Sequence, residues 1–197
     1  MSKAKNESAS RERDIVATAA RLFKEKGYRA TTLEDIAAAV GMLKGSLYYY
    51  IRSKEELLYL VVRDPIRQVY GELEAIVAAD LPFTEKITRA IANHMTVFHL
   101  HYPHIAVYLH DYRHLMDKLE QNVIETPKQY QRLWDTLLRQ GIAAGEIRDD
   151  VDVTMAGYAL LGMCNWTYRW YNPSGRLSPQ EIAAVFTKIA LQGLTRP

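Results

Sequence analysis

The sequence is poor in every feature that marks a secreted or membrane-bound protein. It has a single cysteine, Cys164, which excludes an internal disulfide and fits a reducing compartment. No apolar run approaches the roughly 20 residues of a membrane span. The polar start "MSKAKNESASRERD" lacks the apolar core of a secretory signal. These absences favour a cytoplasmic protein that makes no membrane contact.

Strand patterns are lacking as well, and apolar residues recur at helical spacing nearly throughout the chain. The sequence contains no internal repeat and no low-complexity tract. We therefore predict an all-α fold of about nine helices, three short ones followed by about six longer ones. The division falls near residues 50–55, which predicts two domains, residues 1–54 and 55–197.

Charge is unevenly distributed between these two parts. Residues 1–54 carry eleven lysines and arginines against six acidic residues, whereas residues 55–197 carry fourteen against seventeen. A basic first part favours contact with a polyanion such as nucleic acid. Chance variation in the charge of a solvated surface explains the same numbers equally well.

The segment "TTLEDIAAAVGMLKGSLYYY" has the composition of two short helices joined by a glycine turn. Such a helix-turn-helix needs a small residue where the helices cross and a residue that tolerates positive φ in the turn. Ala37 and Gly41 meet these two needs. The inner faces need apolar residues, which are supplied by Ile36, Val40, Met42, Leu47 and Tyr50.

Helix starts are marked by capping residues. Thr31 or Thr32 begins the second helix, with Glu34 or Asp35 as the reciprocal partner in a capping box. The apolar segment 151–171 is predicted to form one helix. Further helix starts are predicted at Ser53, Asp80 with Pro82, Pro103, Thr126 and Ser178.

The helix-turn-helix segment, extended to "ATTLEDIAAAVGMLKGSLYYYIRSKEEL", resembles the DNA-binding region of the TetR family of transcriptional regulators. The preceding "AARLFKEKGYRATT" resembles the family's first helix, so that the resemblance covers residues 11–60. It implies an N-terminal three-helix domain that reads DNA and a larger helical domain that binds a small ligand and dimerises. Ile51 stands where the family usually has phenylalanine, and it keeps the apolar character of that position.

The three consecutive tyrosines of this region cannot all be buried, because neighbouring helix side chains point about 100° apart. Leu43, Leu47 and Ile51 recur every four residues and predict the buried line, with the last tyrosine beside it. Tyr48 and Tyr49 then face outward, where a recognition helix contacts bases and phosphates. Contact with a partner protein is the alternative. The resemblance implies DNA contacts for Thr32, Lys44, Gly45, Tyr48, Tyr49 and Lys54, whereas a base contact and a simple helix start are equally supported for Ser46.

One short helix-turn-helix binds DNA weakly, so we expect a two-fold dimer with recognition helices about 34 Å apart or more. The last helix carries an apolar stripe that faces either the chain's own core or a second copy. In the TetR family, the last two helices usually form a four-helix bundle with the partner subunit, which favours the second alternative. The predicted interface residues are Ile182, Val185, Phe186 and Ile189.

Aromatic residues crowd the middle helices. Most such residues belong to a core, but rings beside the small Gly157 and Gly162 are able to frame a cavity. Arg169 stands among these rings, where a cation is costly unless it pairs with Glu146 or Asp152 or holds an anionic ligand group. The predicted ligand-binding residues are Tyr108, Tyr112, Trp134, Tyr158, Trp166, Arg169 and Trp170.

The run "NWTYRWYNPSG" resembles TetR members that regulate fatty acid, steroid or other acyl-CoA degradation. In these proteins an acyl chain fills an apolar tunnel and basic residues take the CoA phosphates. The resemblance implies a repressor that an acyl-CoA thioester releases from a palindromic operator in double-stranded DNA. A TetR-type regulator of another hydrophobic ligand, such as an efflux substrate, is the alternative.

Catalytic and metal-binding patterns are weak. All six histidines lie within 21 residues, and His110 and His114 have a spacing that chelates metal on helices. No HExxH motif is present and no cysteine or carboxylate completes an obvious set, so we expect no metal and no cofactor. An enzyme that uses the histidines or Cys164 has no nucleophile–base pair to support it, and a helical interaction module is a third class. We expect a regulator rather than an enzyme.

Overall fold

The chain folds into helices, and the predicted all-α fold is confirmed. In the computed structural model the described residues are 2–119, 127–172 and 174–195. Within these ranges, side chains are described for residues 7–110 and from residue 128 onward. The helices are α1 (Ser2–Lys26), α2 (Leu33–Ala39), α3 (Lys44–Leu47), α4 (Lys54–Ala78), α5 (Phe83–Leu100), α6 (Tyr102–Leu119), α7 (Pro127–Ala143), α8 (Val153–Asn165), α9 (Thr167–Trp170) and α10 (Pro179–Leu194).

Some helix boundaries differ from those predicted. The segment 151–171 is not one helix, because the hydroxyl of Thr167 donates to the carbonyl of Cys164 at 2.6 Å and the chain restarts as the short α9. The start of α5 is capped from a distance, since the Glu146 carboxylate accepts from the backbone N–H groups of Phe83 and Thr84 at 2.9 and 3.3 Å. Ser178 does cap α10 in a capping box, as predicted. Thr126 lies outside the described residues.

The chain divides into two compact units. The first comprises Met1–Pro65 with Pro103–Ile124, and the second comprises Ile66–Tyr102 with Glu125–Pro197. Helix α4 continues through Pro65, the last residue of the first stretch. By this division α6 belongs with the N-terminal helices, a grouping that hydrophobic periodicity does not reveal. The division of function at residue 54 stays a prediction.

The core of the first unit holds the helix-turn-helix in place. Apolar residues of α1 recur on one face and are fully buried, as the helical spacing requires. Residues at the start of α4, which follows the motif, are buried in the same core. The buried side chains are Ile15, Ala19, Phe23, Ile36, Ala37, Leu47, Ile51, Leu57 and Val61.

The core of the second unit surrounds Trp134 of α7, which is fully buried. Helices α5, α7, α8 and α10 all contribute apolar residues to it. The last turn of α4 is held by a buried ammonium group, because Nζ of Lys86 donates to the Val77 carbonyl at 3.0 Å and to the Gln140 amide oxygen at 2.9 Å. An unsatisfied helix end is thereby capped inside the protein.

Helix α7 packs closely against its neighbours at Gly141. A Cβ atom there would lie 2.6 Å from Cδ2 of Phe83 and 2.7 Å from Cδ1 of Ile147. We expect Gly141→Ala to lower the free energy of unfolding by about 1–3 kcal/mol, because overpacking outweighs the gain in helix propensity.

Gly71 of α4 is the matched control for that substitution. A Cβ atom at Gly71 meets nothing within 4 Å. Gly71→Ala should therefore raise stability by about 0.5–1 kcal/mol. Urea unfolding of both variants measures the difference, and equal stabilisation by the two would contradict the packing described for α7.

Candidate nucleic-acid interface and effector region

The turn between α2 and α3 has the geometry of a helix-turn-helix. Gly41 adopts φ +68°, a conformation that favours glycine, and Ala37 is buried where α2 meets the turn. The backbone N–H of Met42 donates to the Ala37 carbonyl at 2.8 Å. Ile36 and Leu47 are fully buried beneath the two helices. The local sequence therefore fixes the orientation of α3 relative to α2.

The start of α2 uses Thr32 and Asp35, which settles the two alternatives left by the sequence. The hydroxyl of Thr32 accepts from the Asp35 N–H at 3.1 Å, and the Thr32 N–H donates to the Asp35 carboxylate at 2.8 Å. Thr31 is buried instead, where its hydroxyl donates to the carbonyls of Leu22 and Gly27. Thr32 is exposed at a helix N-terminus, and its hydroxyl is already bonded within the chain.

The capping box lowers the pKa of Asp35 to about 2. The main cause is hydrogen bonding from the backbone and then the hydroxyl of Thr32, followed by Nζ of Lys26 at 3.1 Å. Because the folded-state pKa is depressed, the stabilising contribution is fully present above the unfolded value near 4 and is lost as pH falls toward 2.

The pH dependence makes the capping box testable. We expect Asp35→Asn to lower the midpoint of thermal unfolding at pH 7. The difference from the wild-type chain should shrink as the pH falls below 4 and vanish below about pH 2. Thermal unfolding across this pH range measures it. A difference that stays constant with pH would show that the ionised carboxylate is not what stabilises α2.

Helix α3 is shorter than predicted, and Leu43 lies before it rather than on its buried line. The helix ends at Leu47 and is followed by a turn over residues 48–50. Leu47 and Ile51 are buried, but Leu43 is 80% exposed, so its predicted place on the buried line is wrong. The reason is that Leu43 is the N-cap, with the extended angles φ −75° and ψ 144°, and lies outside the helical periodicity.

The three tyrosines differ in how far their side chains are exposed. Tyr48 is 49% exposed and Tyr49 is 88% exposed, whereas Tyr50 is half-buried beside Ile51 in sequence. Two adjacent exposed rings form an apolar patch, which is more informative than a single exposed apolar residue. Two rings are therefore presented to the outside on a segment whose backbone is fixed by the buried Leu47.

Charged groups around α3 are held in defined contacts. Lys44 forms an ion pair with Glu34, whose hydrogen bond raises the pKa of the lysine. Nζ of Lys54 lies 4.4 Å from the centre of the Tyr28 ring and donates to the Arg29 carbonyl at 3.3 Å. Both ammonium groups would have to share or exchange these partners to bind phosphate.

Two small residues of α3 differ in their surroundings. A Cβ atom at Gly45 would meet nothing within 4 Å, so this face of the helix is open to a large partner. Ser46 is half-buried and its backbone N–H donates to the Leu43 carbonyl at 2.9 Å. Both alternatives for Ser46, a base contact and a simple helix start, stay predictions.

The predicted ligand-binding residues do not form one buried group. Trp134 is buried in the second unit, but Tyr158, Trp166 and Trp170 are all half or more exposed, so they do not line the interior of the single chain. Tyr108 belongs to the first unit and is half-buried. The side chain of Tyr112 lies outside the described residues.

Arg169 lies against aromatic rings and not against a carboxylate. Its guanidinium carbon is 5.6 Å from the centre of the Trp166 ring and 5.7 Å from that of Tyr168. The two carboxylates considered as partners are used elsewhere, since Glu146 caps α5 and Asp152 caps α8. Within the described part of the chain Arg169 forms no ion pair. A stacked arginine without an acidic partner is a suitable receptor for phosphate or carboxylate.

The second unit also contains a polar cluster that sequence reasoning missed. His94 of α5 is buried and its Nδ1 lies 3.1 Å from the hydroxyl of Tyr130. Burial lowers the pKa of His94 to about 4, despite a hydrogen bond with Asn165, so the imidazole is neutral at pH 7. Periodicity places His94 on the inner face of α5, but only the folded chain shows which groups it meets.

Groups considered for catalysis are poorly suited to it. Burial raises the pKa of the Cys164 thiol to about 12, which leaves almost no thiolate at neutral pH. Among the described residues, no three histidine, cysteine or acidic side chains come together as a metal site. The side chain of His114 lies outside that set. Within the same residues, no helix combines the length and the apolar character needed to cross a membrane.

The predicted dimer stripe on α10 is divided between the core and the surface. Ile182 is only 3% exposed and Phe186 packs against the core of its own chain, so Ile182 is not available to a partner. Val185 and Ile189 are about half exposed. On α8 the exposed residues recur at positions three and four apart, which forms a second surface stripe. Its large members are Met155 and Tyr158.

The fold and the turn geometry around Gly41 are those of a helix-turn-helix protein. Residues 15–60 match the family model described as bacterial regulatory proteins, tetR family, and residues 80–194 match that of the tetracyclin repressor-like C-terminal domain. The chain belongs to the TetR family of bacterial regulatory proteins. Both matched descriptions are those of regulators, and regulators of this family bind operator DNA.

Relatives of known name agree with this assignment. The transcriptional repressor KstR2 of Mycolicibacterium smegmatis is 32% identical over 97% of this chain and 94% of its own. The structure of the ketosteroid transcriptional regulator KstR2 of Mycobacterium tuberculosis superimposes with a TM-score of 0.88 at 28% identity, covering 95% and 96% of the two chains. A structure of AibR with isovaleryl coenzyme A and operator DNA has a TM-score of 0.72 at 26% identity, covering 91% and 97%.

Proposed function

We propose that this chain is a repressor that binds a palindromic operator as a homodimer and leaves it when an acyl-CoA thioester binds. The observation that carries the DNA-binding part is the outer surface of the helix-turn-helix. Tyr48 and Tyr49 are exposed there, Lys44 is beside them, and Gly45 leaves room for the DNA backbone. Tyrosine rings suit thymine methyl groups and sugars, and lysines suit phosphates.

The roles of the individual residues follow from their positions. Tyr48 and Tyr49 contact bases or sugars, and Lys44 exchanges Glu34 for a phosphate. Lys54 approaches the backbone from the start of α4. At Thr32 the DNA phosphate meets the backbone N–H groups at the start of α2. The Thr32 hydroxyl stays bonded to Asp35.

The dimer is supported by an exposed apolar face of the second unit. Met155 and Tyr158 on α8 and Val185 and Ile189 on α10 are about half exposed or more. Exposed apolar residues in two stripes on neighbouring helices mark an interaction surface. A second copy of the chain would cover this surface, because an isologous interface pairs the same patch on both subunits. We name these four residues the α8–α10 face.

The effector class is supported by Arg169 and by the relatives. Acyl-CoA carries phosphates that a stacked, unpaired arginine binds well. Exposed Trp166 and Trp170 provide planar surfaces beside it for an aromatic base. AibR was crystallised with isovaleryl coenzyme A, and KstR2 is named for ketosteroids. A different hydrophobic ligand, such as an efflux substrate, is the second candidate, because Trp134 and its neighbours provide an apolar interior.

Calorimetry with the purified chain separates these two candidates. We expect short, long or ring-bearing acyl-CoA thioesters to bind, and Arg169→Gln to weaken that binding by about tenfold or more because a charged hydrogen bond is removed. Methyl esters of the same acids, which carry neither phosphate nor carboxylate, should bind the wild type less tightly and be insensitive to this substitution. Heat from a neutral or cationic efflux substrate, with none from any acyl-CoA, would favour the second candidate.

A further inference from the structure

Leu43 is placed where the fold gives it no internal use. It is the N-cap of α3, a position that favours serine, threonine, aspartate or asparagine, and α3 has no side-chain cap bond. Its side chain is 80% exposed, and it directly precedes Lys44 and the open Gly45. The residue is therefore unfavourable for the free protein in two ways, as a cap and as an apolar group in water.

Exposure alone would explain little, since single exposed leucines are common on protein surfaces. What distinguishes Leu43 from other exposed leucines is its position at the start of the recognition helix. The N-terminal residues of a recognition helix lie at base edges in the major groove. The apolar group that base pairs present there is the 5-methyl group of thymine. Among the base edges, an aliphatic side chain at this point has one matching partner.

We propose that Leu43 contacts a thymine 5-methyl group in each operator half-site and so selects thymine at that position. The inference rests on the proposed DNA-binding function and adds a sequence-selecting residue to it. Leu43 supplies an apolar contact that a serine cap would lack, because the serine hydroxyl would bond to the N–H groups of the helix. Each half-site of the operator then has one thymine near the N-terminus of the α3 that binds it, and the two thymines are related by the two-fold symmetry.

Deoxyuridine substitution tests the contact, because it removes only the methyl group of thymine. The probe is a fluorescent duplex from the DNA upstream of the chain's own coding sequence, with each symmetric pair of thymines replaced in turn. The affinity of the wild-type chain is expected to fall by about five- to tenfold at one symmetric pair, as for the removal of one apolar base interaction per half-site. Leu43→Ser should bind the unmodified duplex about as weakly as wild type binds the substituted one. It should also be insensitive to deoxyuridine at that pair.

Two controls separate the contact from a structural effect. Leu43→Ser should unfold at the same or a higher temperature than wild type, because serine is the better cap. Leu100→Ser changes another exposed leucine, on α5, and should leave operator binding unchanged.

The outcomes distinguish this inference from the function it rests on. If wild type binds the duplex but Leu43→Ser binds it equally well, or keeps its full sensitivity to deoxyuridine, the role of Leu43 is wrong and the repressor function stands. If wild type binds no duplex in preference to a scrambled one, the proposed function itself fails, and the role of Leu43 with it.

Discussion

Replacing Tyr49 with alanine is expected to weaken operator binding by about 10- to 100-fold while leaving the fold intact. The side chain is 88% exposed, so its removal costs the free protein almost no packing. In a dimer the change occurs twice. Each half-site then lacks one base or sugar interaction, worth about 1 kcal/mol or somewhat more, and the two effects multiply to this range. Fluorescence anisotropy with an operator duplex measures the affinity, and thermal unfolding measures the stability.

Tyr50 provides the matched control for this prediction. It is half-buried beside the core of the first unit, so Tyr50→Ala should also lower the midpoint of thermal unfolding. Tyr49→Phe removes only the hydroxyl and should weaken binding less than Tyr49→Ala does. If Tyr49→Ala binds the operator as tightly as wild type, the outward tyrosines do not form the DNA-contacting surface.

Placing a charge on the α8–α10 face is expected to have the other large effect. Ile189→Glu would bury a carboxylate against an apolar partner, which costs several kcal/mol at each of the two symmetric positions. We expect the variant to be a folded monomer, because the residue is 55% exposed in the single chain. Operator affinity should fall by at least about 100-fold, since a monomer engages only one half-site at a time.

Sedimentation or light scattering measures this change in mass. Leu100→Glu is the control, because it places the same charge at a similarly exposed aliphatic position outside the α8–α10 face. It should leave both the mass and the operator affinity as in wild type. A dimeric Ile189→Glu would place the self-association surface elsewhere on the chain.

Local signals were the most reliable part of the sequence. The Thr32–Asp35 and Ser178–Glu181 capping boxes and the turn glycine Gly41 depend only on residues a few positions apart, and the structure contains all three features. Such short-range patterns have few alternative solutions. The helix-turn-helix was therefore predictable before any tertiary contact was known.

Signals that depend on the rest of the fold were less reliable. Four-residue spacing assigned Leu43 to the buried line, although an N-cap has extended backbone angles and breaks that spacing. The same periodicity does not say whether a stripe meets its own core or another molecule, so Ile182 and Ile189 looked alike. Trp166 and Trp170 were expected at a cavity because Gly157 and Gly162 lie near them in sequence, yet both rings are exposed. The contact between His94 and Tyr130, 36 residues apart, has no local signature.

The central claim is that this chain binds a specific DNA site through α3, and one titration tests it most directly. Fluorescence anisotropy compares a palindrome from the chain's own upstream region with a scrambled duplex at several salt concentrations between about 50 and 200 mM. The account predicts dimeric binding to the palindrome, about 10³-fold or more tighter than to the scrambled duplex, and weaker at higher salt. Equal affinity for the two duplexes, or binding that does not change with salt, would contradict it.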